Sequence, residues 1–60
     1  MKRVTVKWAR NTAAAVGSDG DRWDVDEIVY DGDKVELYLD DQLVASFGRH
    51  DADVFLVRDA

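Results

Sequence analysis

Apolar and polar residues alternate along most of this chain with a period of two. In residues 2–9, Val4, Val6 and Trp8 share one parity while Arg3, Thr5 and Lys7 share the other. Such alternation marks a strand with one face buried and the other wet. Residues 35–47 repeat the pattern twice, with Val35, Leu37 and Leu39 before Asp40-Asp41 and Leu43, Ala45 and Phe47 after it. Two alternating runs around a tight turn predict a β-hairpin. Residues 22–30 form another strand, but its phase slips. Trp23 and Val25 have one parity and Ile28 and Tyr30 the other, so a bulge or break is predicted near Asp26-Glu27. Val54-Phe55-Leu56-Val57 is apolar at both parities and reads as a strand covered on two sides, either central or within a subunit interface.

Aspartate supplies most of the punctuation. Eleven of the thirteen acidic residues are aspartate, whose short side chain hydrogen-bonds nearby backbone and favours turns over strand interiors. Asp31-Gly32 is a two-residue hairpin signal, Gly17-Ser18-Asp19-Gly20-Asp21 is a loop, and residues 48–53 form a second loop. Ala13-Ala14-Ala15-Val16 is too short for a stable helix and reads as a short strand or single turn. The expected fold is all-β: one domain over residues 1–60, a small antiparallel curled sheet or open barrel of four or five strands with tight Asp/Gly turns. It is SH3-like in size, a similarity of architecture carried by no residue motif.

Length limits what this sheet can do. A chain of 60 residues buries only about 60% of the surface its unfolded form exposes, which makes oligomerisation a natural source of added stability. The chain has no cysteine, so disulfides and thiolate metal sites are excluded and a cytoplasmic location is the expectation. No apolar run is long enough to span a bilayer, and no stretch reads as a signal peptide. The net charge of −5 is uneven: residues 1–10 carry four basic and no acidic groups, and all thirteen acids follow. Such a balance disfavours direct nucleic-acid binding and favours a basic partner. The basic first segment is expected to pair with acidic neighbours across the sheet, or else to form a local basic stripe.

Candidate chemistry is sparse. Asp19, Asp21, Asp24, Asp26 and Glu27 gather carboxylates of the kind calcium takes, but Trp23 and Asp24 occupy positions that break the EF-hand pattern. His50 with Asp51 and Asp53 has the elements of a metal site, yet the sole histidine cannot build a multi-histidine centre. Ser18 and Ser46 lie in no nucleophile-elbow sequence, and no enzyme activity or cofactor is expected. Tyr38 has outward parity and, with Val44, forms an apolar patch suited to an interface. The expectation is therefore a small interaction module, homodimeric or bound to a partner. Its contact residues would be Tyr38, Val44, Phe55 and Val57, with an acidic rim of Asp24, Asp26 and Glu27. Three alternatives accompany it: an acidic regulator mimicking nucleic-acid phosphate, a calcium-binding loop, and acidity that serves only solubility at high salt.

Overall fold

A computed structural model describes residues 1–10 and 20–60 of the chain. The short element expected at residues 13–16, and residues 17–19 of the expected loop, lie outside the described residues. Six strands are present among those described: β1 (Lys2–Trp8), β2 (Gly20–Val25), β3 (Glu27–Asp31), β4 (Lys34–Leu39), β5 (Gln42–Gly48) and β6 (Ala52–Asp59). They form two three-stranded antiparallel sheets, ordered β2-β1-β6 and β3-β4-β5, that do not close into one barrel. The all-β antiparallel expectation holds. The strand number is higher because the phase slip at Asp26 is a full break, which divides one expected strand into β2 and β3 and carries the chain from the first sheet to the second.

Turn chemistry fixes the second sheet. Asp40 and Asp41 both have positive φ, 53° and 63°, the backbone of a two-residue turn whose twist matches the flanking strands. Aspartate tolerates this region better than most residues with a side chain. The β3–β4 turn sits one residue later than expected: Asp31 pairs with Lys34, and Gly32-Asp33 form the connection. Gly32, at φ 59°, lies in the same left-handed region, which glycine adopts without the steric cost a side chain brings. Residues 48–53 are more ordered than a loop. Gly48 ends β5, Arg49–Asp51 make one 3₁₀ turn, and Ala52 begins β6. The Ala9 amide donates to the Asp51 carbonyl at 2.8 Å, fastening that turn to the end of β1.

Gly20 and Asp21 also belong to a strand, not a loop. A side chain at residue 20 would run into the Val6 carbonyl, so the absence of a Cβ is what lets β2 approach β1 here.

The core lies between the sheets and comprises Val4, Val6, Trp8, Val25, Val35, Leu37 and Phe47. Phe47 joins the two layers. Its ring meets Trp8 edge-on at 5.2 Å, stacks with Trp23 at 6.1 Å and meets Phe55 edge-on at 5.8 Å. One side chain from β5 thus touches all three strands of the opposite sheet. The inward parity expected for Trp8 and Trp23 is observed, Trp23 being half-buried. Tyr30 reaches Phe55 at 6.2 Å but stays exposed at the margin of the core.

Two expectations about burial are overturned. Among the described residues the final strand is not covered on two sides: β6 is the edge of its sheet, and Val54, Leu56 and Val57 are all exposed. Leu43 does not point inward. A register shift on β5 sets Leu37 opposite Ala45 but Tyr38 opposite Leu43, which turns Leu43 to the outer face with 52% of its surface exposed.

Candidate interaction surfaces

Among the described residues the inner faces build the core, which leaves two outer faces and the strand edges as candidate surfaces. Cross-strand register assigns residues to each, because directly paired residues point the same way. On the outer face of the first sheet, β2 contributes Arg22 and Asp24, β1 contributes Arg3, Thr5 and Lys7, and β6 contributes Val54, Leu56 and Arg58. Among the described residues four cations therefore share this face with one carboxylate, on a chain whose net charge is −5.

Arg3 is the hinge of that face. Its guanidinium donates to Asp24 at 2.9 Å, which is the acidic pairing expected for the first strand. That hydrogen bond holds the Asp24 carboxyl below the usual carboxylate range and raises the Arg3 guanidinium above its own. On its other side Arg3 meets Arg58, a like charge directly opposite. Arg22 lies opposite Thr5, and Lys7 lies opposite Val54 on one side and Gly20 on the other. Asp24 answers part of the charge, and a basic stripe remains.

The opposite outer face carries Glu27, Asp31, Glu36 and Lys34 together with Val29, Tyr38 and Leu43. Tyr38 lies outward as expected but is half-buried among these neighbours, and Val44 beside it is exposed. Burial, then the charge of Glu36 and a hydrogen bond to it, push the Tyr38 phenol up. The apolar patch is thus Tyr38, Leu43 and Val44. Leu43 escaped the sequence pattern because one bulged residue inverts parity.

The acidic rim is dispersed by the fold. Asp21 turns inward and its Oδ2 accepts the Trp8 indole N–H at 2.8 Å. Asp24 turns outward to Arg3. Asp26 sits at the break, where its carboxylate accepts the Asp40 amide at 3.0 Å while its own amide donates to the Tyr38 carbonyl at 3.1 Å. Glu27 faces outward beside Tyr38. These four carboxylates do not converge, and Asp19 lies outside the described residues. Among the described residues no three His, Asp or Glu side chains are grouped to hold a metal. His50 lies 3.4 Å from Asp33, not against Asp51 or Asp53.

A shallow, open depression lined by Thr5, Val6, Gly20, Asp21 and Arg22 lies by the first two strands. Its polar lining is Thr5, Asp21 and Arg22, and the Asp21 carboxylate already accepts the Trp8 indole N–H. No helix among the described residues is long and apolar enough to cross a membrane. No protein-family model, curated protein or solved structure matches the chain.

Proposed function

We propose that the protein is a non-enzymatic interaction module that works through its exposed strand surfaces. The observation that carries this reading is β6: an edge strand whose central run, Val54-Phe55-Leu56-Val57, contains no charge, with Val54, Leu56 and Val57 exposed. An edge strand presents a row of backbone donors and acceptors, and edges are ordinarily blunted with charge, proline or a bulge. β6 has its irregularity only at its start, where Lys7 pairs with Val54 but Trp8 with Ala52. Phe55 and Val57 extend the surface toward the core side, and Tyr38, Leu43 and Val44 supply a second apolar patch on the other sheet.

Capture from a native lysate at low and high salt tests the reading. Contacts through the aliphatic edge survive high salt and weaken when Leu56 is changed to serine. Capture indifferent to Leu56→Ser and abolished by salt overturns it in favour of an acidic surface mimicking nucleic-acid phosphate, for which Asp26, Asp40 and Asp41 at one end of the second sheet are the supporting feature.

A further inference from the structure

We infer that the occupant of the β6 edge is an extended, acidic segment of a partner protein, added as a fourth strand beside β6. This rests on the interaction-module reading and names the chemistry of the partner. An added strand places alternate side chains on the two faces of the sheet. Those on the outer face meet Val54, Leu56 and Arg58, with Lys7 and Arg3 in the row behind. Those on the inner face meet Phe55 and the exposed Val57. The edge therefore asks for apolar side chains along its middle and a carboxylate against Arg58. Arg58 stands opposite Arg3, whose own carboxylate partner, Asp24, lies on the far side of β1. An arriving acid relieves this like-charge pair.

A second copy of the chain answers that requirement poorly. Antiparallel pairing of two β6 strands that keeps the outer faces together sets Arg58 against a residue of even number. On the regular part of β6 the outward, even positions are Val54, Leu56 and Arg58, none of them acidic. A nucleic-acid backbone is also a poorer fit. The outer face holds no aromatic ring for base stacking, it is half aliphatic beside β6, and the chain as a whole carries −5. A peptide strand uses the backbone edge, the aliphatic surface and the cations together.

Three fluorescently labelled probes distinguish these occupants by anisotropy against the full chain: a peptide of alternating valine and glutamate, one of alternating valine and lysine, and an oligothymidylate of similar length. The glutamate peptide is expected to bind and to shift the amide resonances of residues 54–58. Arg58→Glu is expected to weaken it about tenfold or more, whereas Lys34→Glu, the same change in net charge on the opposite face, leaves it unchanged. Arg58→Glu removes the opposition to Arg3, so its thermal midpoint stays level or rises, which separates lost binding from lost folding.

Equal binding of the lysine peptide overturns the acidic specificity but leaves an apolar docking edge standing. Binding of the oligonucleotide alone, lost in Arg58→Glu, replaces the peptide with a phosphate backbone. A dimer in sedimentation, dissociated by Leu56→Asp and silent to all three probes, assigns the edge to a second copy. Silence to every probe in a strict monomer, with β6 amides as protected from hydrogen exchange as those of β1, means that the edge is covered, and then the module reading fails with the proposal.

Discussion

Strands β1 and β6 lie side by side, and their contrast is the most instructive in the molecule. Val4 and Val57 are direct cross-strand partners on the same inner face, yet Val4 is 0% exposed and Val57 is 41% exposed. By sequence the order is reversed, since residues 54–57 are apolar at both parities whereas residues 2–8 are apolar at only one. Position decides the outcome. Among the described residues β1 is flanked by two strands and roofed by the second sheet, while β6 has a neighbour on one side only. Hydrophobicity says that a strand gains by being covered; it does not supply the cover. A strand this apolar at an edge is where a partner gains most.

The comparison can be broken first at the roof. Phe47→Ala removes the ring that joins β5 to β1, β2 and β6, at an expected cost of about 3–5 kcal/mol, as for other buried aromatics. A domain of this size holds little more than that in total, so loss of the sheet signal in circular dichroism at ambient temperature is expected. A cooperative urea transition at the wild-type midpoint would show that the two sheets are not held together there.

The paired valines give a direct measurement. Val4→Ala is expected to cost about 2 kcal/mol, and Val57→Ala less than about 1 kcal/mol, because only Val4 leaves a cavity. Equal costs would mean that β6 is covered in solution. Between these lies Gly20→Ala, where the new methyl group meets the Val6 carbonyl and the cost is on the order of 1–3 kcal/mol. Chemical denaturation that showed Gly20→Ala to be neutral would release the constraint that seats β2 on β1.

Smaller effects test the turns and the basic face. Asp41→Gly relieves a side chain held at φ 63° and is expected to stabilise the hairpin by about 0.5–1 kcal/mol, read as a raised thermal midpoint. The Arg3–Asp24 pair predicts a direction with pH. Its hydrogen bond lowers the folded-state pKa of Asp24, so its contribution is fully present above the unfolded value and is lost as pH falls through the folded one. Denaturation from about pH 6 to about pH 2 should show wild type and Asp24→Asn differing at the upper end and converging at the lower. A constant difference would place the interaction elsewhere.

Much of the fold was legible because strand period and turn chemistry are local. The alternation of Val4, Val6 and Trp8, the Asp40-Asp41 turn and the phase slip at Asp26 each follow from residues close in sequence. Two features were not. The bulge that exposes Leu43 is a property of how β5 meets β4, and no residue within β5 announces it. The aspartates of residues 24 and 26, out of place by strand propensity, have structural partners distant in sequence: Arg3 across the sheet and the Asp40 amide at the hairpin tip. Their identity was readable, but the reason for it was not.

By itself the sequence determined that the chain forms antiparallel strands, where most of them turn, and which parity of β1 and β4 is buried. These depend on side-chain period and on backbone angles that one or two residues control. The tertiary structure alone decided which strands became edges. It also gathered Arg3, Lys7, Arg22 and Arg58 onto one face of an acidic protein. Those four residues come from three strands, and their meeting depends on sheet order and register, which are settled only when the strands pair.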